Sequence, residues 1–405
     1  MASIEPVPVT VVSGYLGAGK TTLINRVLSN PGGRRVAVIV NDMGEVNIDA
    51  DLIARASDDE NDGIVDLSNG CICCRLRGDL LEEATRLARR RDFDALLVEA
   101  SGISEPIPIA QVFLEGTDAS DADPNLFRLD TMVTVLDTYG FWKEFDAGAR
   151  LPDGLEPDTD RPLSDVLVEG IEFCDVLLLN KVDAVPEDVL EEIEAVVETL
   201  QPRATRLRTT YCDVDPDLVL DTGRFDFEAA SRSQGWKRHL RGEGGGHGHG
   251  TDHSHDADHD HGTQLDHDAD HGHSANHDVE PGVAERHGVS SFVFRSETPF
   301  HPERLASWLE EWDGAIVRAK GVCHVANREE VIGVSQAGPS VKAGPIGPWR
   351  PTDDRTTQLV FIGREMDEPR IRAELETCLV DDERETVDAT ADPFPLEALV
   401  TRAGR

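Results

Sequence analysis

The run Pro8-Val9-Thr10-Val11-Val12 leads into a glycine-rich turn, beyond which Leu23, Ile24, Val27 and Leu28 recur at helical spacing. This reads as a buried strand, a tight turn and an amphipathic helix. The alternation repeats. Segments 36–40, 95–98, 131–136 and 176–179 are short apolar runs, whereas 79–91 and 186–200 carry helical periodicity. In the second of these helices Val189, Ile193, Val196 and Leu200 share one stripe, and Pro186 stands near its start. Wholly apolar strands alternating with helices predict a mostly parallel sheet with helices on both faces.

From about 242 to 288 the periodicity vanishes into Gly, Asp and His, the composition of a disordered linker. A smaller pattern follows. Segment 291–294 reads as a strand, and Leu305, Trp308, Leu309 and Trp312 fall on one helical stripe. Further strands are expected at 316–318, 322–326, 331–334 and 358–362, and a last helix at 369–379. The order β-α-β-β-β-α predicts a small α+β domain, an antiparallel sheet with helices on one face. Segment 381–392 is acidic and reads as a solvated tail that begins or flanks a weak helix. The expected organisation is therefore a nucleotide domain over 1–241, a linker over 242–288, an α+β domain over 289–383 and an acidic tail over 384–405.

The turn after the first strand is Gly14-Tyr15-Leu16-Gly17-Ala18-Gly19-Lys20-Thr21, a complete phosphate loop. It predicts the α/β architecture of a P-loop NTPase. Backbone N–H groups at Gly14, Gly17, Ala18 and Gly19 would form an anion nest, Lys20 would reach the β and γ phosphates, and Thr21, beside Thr22, would offer its hydroxyl to Mg²⁺. A second motif, Asn180-Lys181-Val182-Asp183, follows the strand at 176–179. The Asp183 carboxylate can accept from N1–H and the exocyclic amine of guanine, a donor pair that adenine lacks. A site built on such a partner rejects the analogue by roughly 10⁴-fold, which favours GTP over ATP. The plainer alternative is a polar strand-to-helix turn.

Strand 95–98 ends in Glu99-Ala100-Ser101-Gly102. At the carboxyl end of a parallel sheet Glu99 would face Mg²⁺ or its water shell, and Gly102 could bring its N–H to the γ-phosphate; alternatively Glu99 caps the next helix. Asn41-Asp42-Met43-Gly44-Glu45 also leaves a strand end and suits a switch segment. Asp42, Glu45 and Glu99 are the candidates for orienting the attacking water. Gly70-Cys71-Ile72-Cys73-Cys74 places three thiols in four positions, with Arg75 and Arg77 nearby to hold them ionised. Such a cluster suits Zn²⁺ or a neighbouring transition metal. In an extended strand Cys74 would point away from Cys71 and Cys73, so convergence needs a turn, which Asn69-Gly70 permits. The alternative is three small buried hydrophobes, the reading that suits Cys174 and Cys378.

Composition changes the picture in charge. The 405 residues include 78 Asp and Glu against 39 Lys and Arg, a formal net charge of −39. Such a surface repels nucleic acid and anionic membranes. It also predicts a halophilic protein, because self-repulsion this large needs screening for the compact state. Circular dichroism and turnover are therefore expected to improve with added salt; full folding and activity in dilute buffer would count against this. No stretch resembles a leader or a bilayer span, and seven cysteines suit metal thiolates in a reducing compartment, so a cytoplasmic protein is expected.

Taken together, these motifs closely resemble those of the CobW-type metal-trafficking GTPases, over nearly the whole chain. The stretch Arg318-Ala319-Lys320-Gly321, preceded by Pro299-Phe300-His301-Pro302-Glu303-Arg304-Leu305, is similar to that family's C-terminal domain. The resemblance implies GTP hydrolysis coupled to delivery of Zn²⁺ or Co²⁺ to client metalloproteins or cobalamin assembly, with metal at Cys71, Cys73 and Cys74 sensing the nucleotide through the switch segments, and self-association as a homodimer among its modes. The family's switch usually reads Asn-Glu-Phe-Gly-Glu. Here the shorter Asp42 argues against a metal-ligand role there, though not against the switch. Cys323-His324 is either a second soft-ligand pair or two strand residues.

Ten of the 14 histidines, His247, His249, His253, His255, His259, His261, His267, His271, His273 and His277, lie between positions 247 and 277 of the linker among Asp and Gly. Dispersed imidazoles on a disordered chain can gather around one ion, with protons as competitors; the alternative is an acidic solubilising tether. Three functional readings stand at this point: a metal-delivering GTPase, a GTP-gated zinc or cobalt buffer with little turnover, and a phosphotransferase acting on a small acceptor.

Overall fold

The computed structural model describes residues 5–40, 64–66, 76–90, 93–100, 102, 106–117, 122–146, 162–227, 288–311, 314–349, 354–380 and 393–399. The first half of the chain runs β1 (Val7–Ser13), α1 (Lys20–Ser29), β2 (Val36–Val40), β3 (Ile64–Asp66), α2 (Leu76–Arg90), β4 (Ala95–Glu99) and α3 (Pro106–Glu115). It continues with β5 (Phe127–Asp137), α4 (Phe141–Asp146), α5 (Leu163–Glu172), β6 (Val176–Asn180), α6 (Glu187–Leu200) and β7 (Thr205–Thr209).

The seven strands form one sheet in the order β3-β2-β4-β1-β5-β6-β7. Every pairing is parallel. Helices cover both faces, as the apolar runs require. One face buries Leu80, Leu81 and Ala84 of α2 with Ile107 and Ala110 of α3, and the other buries Leu23, Ile24 and Val27 of α1. The chain leaves β1 for β2 on one side, while β5 lies on its other side, so the sheet reverses direction at β1. Ligands bind outside the carboxyl ends of strands at such a reversal. Register levels those ends: Val12 lies opposite Glu99 and Glu99 opposite Val40, while Asp137 lies opposite Asn180 and Asn180 opposite Thr209.

The second half comprises β8 (Val289–Ser296), α7 (Pro302–Leu309), β9 (Ile316–Cys323), β10 (Glu330–Ala337), β11 (Ser340–Pro348), β12 (Thr357–Arg364), α8 (Glu368–Thr377) and β13 (Leu396–Leu399). They form a six-stranded sheet, ordered β13-β11-β10-β9-β12-β8. Its neighbours are antiparallel. Leu305 and Leu309 of α7 and Ile371 and Leu375 of α8 close its core with Phe292, Leu359 and Phe361.

Two expectations need correction here, and one strand went unforeseen. The stretches 316–318 and 322–326 belong to one strand as far as Cys323, because Gly321 between them admits the close approach of β12; a Cβ there would strike the Gln358 carbonyl. Segment 340–348 is a strand despite its two prolines and two glycines, since β10 and β13 pair with it from either side. Leu396–Leu399, expected in the acidic tail over 384–405, is a strand antiparallel to β11. Part of 384–405 therefore belongs to the second sheet.

The second sheet is rooted in the first through α4, α5 and α6. Val289, Val317 and Ala337 enter the apolar cluster of Phe141, Phe145, Val168 and Ile193. Around that cluster the second sheet supplies the cations. Arg318 Nε lies 2.8 Å and Nη2 3.2 Å from the two carboxylate oxygens of Glu172, and Lys320 Nζ lies 3.3 Å from Oε2. Arg318 also donates to Ser335 Oγ at 2.9 Å and to the Gln336 carbonyl at 3.2 Å. Lys342 approaches Asp165 at 3.5 Å. Arg364 pairs with Glu192 and lies 3.7 Å from the centre of the Trp142 ring.

Candidate functional site

The glycines of the phosphate loop adopt conformations that side chains resist. Gly14, Gly17 and Gly19 have φ of 137°, 76° and 117°, in the left-handed half of the map where glycine has no Cβ penalty. A Cβ on Gly14 would strike the Val135 carbonyl of β5, and one on Gly19 would lie 2.5 Å from Asn180 Nδ2 and 3.0 Å from Cys212 Sγ. Gly17 meets nothing within 4 Å. The loop is thus wedged against β5 and β6 at two points and open at a third.

Lys20 begins α1, is buried, and donates to the Tyr15 carbonyl at 3.4 Å. No acidic residue occupies the first turn of α1, so its N–H groups and positive end are available to an anion. Thr21 follows in the same turn. These features fit a nucleoside triphosphate: a cradle that Cβ atoms would fill, a helix start without acid, and a buried lysine folded onto the loop.

Glu99 is buried at the last position of β4. The next helix described is α3, which begins at Pro106. The Ala100 N–H donates to the Val12 carbonyl at 2.8 Å, tying this end to β1. Gly102 abuts the loop, since a Cβ there would lie 2.9 Å from the Leu16 nitrogen. Glu99 and Gly102 therefore lie beside the phosphate loop.

On the other side Asn180 is buried and hydrogen-bonded through both its amide nitrogen and its oxygen. Its Nδ2 donates to the Ala18 carbonyl at 2.8 Å, and its Oδ1 accepts from Thr209 Oγ1 at 3.2 Å and the Cys212 N–H at 2.9 Å. This side chain joins phosphate loop, base motif and the turn after β7. Asp183 stands exposed in the short turn Val182–Ala184, free to face a base.

Sequence reasoning passed over Cys212. It lies in that turn after β7 with φ 52°, and its thiol donates to the Gly19 carbonyl at 3.3 Å. Burial, opposed by Arg26 and Lys181, pushes the thiol up to about 12, so at neutral pH it stays protonated as a hydrogen-bond donor. No motif marks it; only its position at the same sheet edge could have. Asp137 was likewise missed.

The switch residues Asp42 and Glu45, the thiols Cys71, Cys73 and Cys74, and the histidines from 247 to 277 lie outside the described residues. Among those described, no group of three His, Cys, Asp or Glu side chains is placed to hold a metal ion. Nor is any helix long and apolar enough to cross a membrane. Cys174, Cys323 and Cys378 are buried core residues. For Cys323, in register with Ile332 within the second sheet, the strand reading holds.

Fold, phosphate loop and base motif define a P-loop GTPase. The CobW/HypB/UreG nucleotide-binding domain matches residues 8–208, and the cobalamin synthesis protein cobW C-terminal domain matches residues 289–379. The chain is 36% identical to the zinc-regulated GTPase metalloprotein activator 1 of Dictyostelium discoideum, across 93% of this chain and 81% of that protein. It is 26% identical to a zinc chaperone CobW of a Sinorhizobium species, across 92% of this chain and 97% of the relative. The zinc-bound YjiA GTPase structure from E. coli is 20% identical with a TM-score of 0.40, covering 93% of this chain and all of that one. The chain belongs to the CobW family of the CobW/HypB/UreG GTPases.

Proposed function

We propose that this chain couples GTP hydrolysis to the capture and handover of Zn²⁺ or Co²⁺, its cargo held by Cys71, Cys73 and Cys74 and passed to a client metalloprotein or to cobalamin assembly. The observation that carries this reading is the levelling of Val12, Glu99 and Val40 beside the phosphate loop. The switch segment 41–45 follows Val40 directly in the chain, and the cysteine cluster lies in sequence between β3 and α2. The names of the relatives, a zinc-regulated activator and a zinc chaperone, favour zinc. We retain the organisation of nucleotide domain, linker and second domain, with the last extended to include β13.

In this reading Lys20 and the loop N–H groups neutralise the phosphates, and Gly102 reports the γ-phosphate. Thr21 and Glu99 would hold Mg²⁺ directly or through water, and the ion would supply charge neutralisation to the phosphates. Asp183 selects guanine. Asp42, Glu45 and Glu99 remain the candidates for orienting water. The histidines from 247 to 277 collect metal ions for the chain.

Turnover of GTP at high salt without an added acceptor tests the reading. Slow turnover that changes with added Zn²⁺ or Co²⁺ is expected, and deletion of residues 244–278 should lower the number of ions bound per chain. Binding of metal with almost no turnover would indicate a buffer, and turnover only with a small acceptor would indicate a phosphotransferase. An unchanged ion count after the deletion would leave that segment a tether.

A further inference from the structure

The lysine of the base motif is anchored. Lys181 Nζ lies 2.6 Å from Asp137 Oδ2, with the two side chains 37% and 15% exposed. Asp137 is the last residue of β5, in register with Asn180. Its other oxygen accepts the N–H groups of Tyr139 at 3.1 Å and Gly140 at 3.3 Å, so the carboxylate is itself fixed. Next to it Thr138 donates both its N–H, at 3.1 Å, and its hydroxyl, at 2.8 Å, to the Asn180 carbonyl.

These contacts clasp the ends of β5 and β6 around Lys181. Lys181 takes φ 66°, an uncommon conformation for a residue with a side chain, which persists only where the surroundings enforce it. A second carboxylate, Glu144, stands beside the clasp, with its carboxyl raised first by burial and then by Asp137, against Lys181 and Lys143. Space is tight. A Cβ on Gly140 would lie 3.0 Å from Glu144 Oε1 and 3.5 Å from Asp137 Oδ2.

We propose that Asp137 is a positioning residue for base recognition: by fixing the Lys181 ammonium it holds the lysine's methylene stem beside Asp183 as a preformed wall for guanine. This rests on reading Asn180-Lys181-Val182-Asp183 as the base site. A free lysine side chain loses rotamer freedom when a ligand orders it, whereas one already ordered does not. In a chain with 78 acidic residues, an unanchored ammonium would also have other carboxylates to visit.

The test is Asp137→Asn, which removes the charge and keeps an oxygen for the Tyr139 and Gly140 N–H groups. KM for GTP and Kd for GDP should rise about tenfold, while kcat at saturation stays within about twofold. Lys181→Met should show the same loss, and the double variant should be no worse than either alone. Asp137→Glu, which keeps the charge, should recover part of the affinity. An unchanged KM in Asp137→Asn, additive losses in the double variant, or Asp137→Glu as impaired as Asp137→Asn would overturn the proposal. Asp183→Asn separates the levels: if it abolishes the preference for GTP over ATP while Asp137→Asn leaves KM unchanged, the base site stands and the positioning role fails. A preference surviving in Asp183→Asn removes the base reading, and the proposal with it.

Discussion

Lys20→Ala will hydrolyse GTP at least about 10²- to 10³-fold more slowly than the native chain, the usual cost of removing a preorganised charge from a transition state. Lys20 is buried at the start of α1, in a first turn without an acidic side chain, and donates to the Tyr15 carbonyl. Nothing in that turn would replace its charge beside a triphosphate. The fold should survive the change, because the loop is wedged by Gly14 against β5 and by Gly19 against Asn180 and Cys212, not by the lysine. Single-turnover hydrolysis with matched melting curves checks both points. Native turnover in this variant would refute the assignment of the loop.

Glu172→Ala will destabilise the chain by about 3–5 kcal/mol, the range for breaking one partner out of a buried ion pair. Arg318 and Glu172 are 7% and 14% exposed, and Lys320 shares the same carboxylate. Removing it strands two cations between the sheets. Burial alone would raise the Glu172 carboxyl, but Arg318 and Lys320 outweigh burial and hold it below the ordinary carboxylate range. A depressed folded value means that this contribution is complete above the ordinary carboxylate range. It is then lost as pH falls through the lower folded value. Chemical denaturation at neutral and acidic pH would show the loss shrinking towards low pH. A variant as stable as the native chain at neutral pH would contradict the buried clamp.

The first sheet was legible because its strands are uninterrupted apolar runs and its motifs sit at strand ends. The pattern named 36–40 and 176–179, and the structure extends the latter only by Asn180. Helix α3 was hidden by prolines at 106 and 108, which a helix tolerates in its first turn. The second sheet was harder to read, since β11 carries Gly and Pro where a strand should not, and its pairing with β10 and β13 is a tertiary fact. The phosphate loop and base motif could be read because phosphate and guanine impose fixed residue types. Asp137 and Cys212 could not, because their work depends on which strand ends the topology makes neighbours: β5 beside β6, and β7 beside β6.

The central claim is that nucleotide state changes the free energy of thiolate coordination at Cys71, Cys73 and Cys74. Competition titration of Zn²⁺ and Co²⁺ against a chelator, at high salt, with the chain loaded with a non-hydrolysable GTP analogue or with GDP, measures this directly. The account predicts at least about a fivefold difference in Kd between the two states, the lower end of ordinary coupling, lost when the three cysteines become serine. The same Kd in both states for both ions would contradict it.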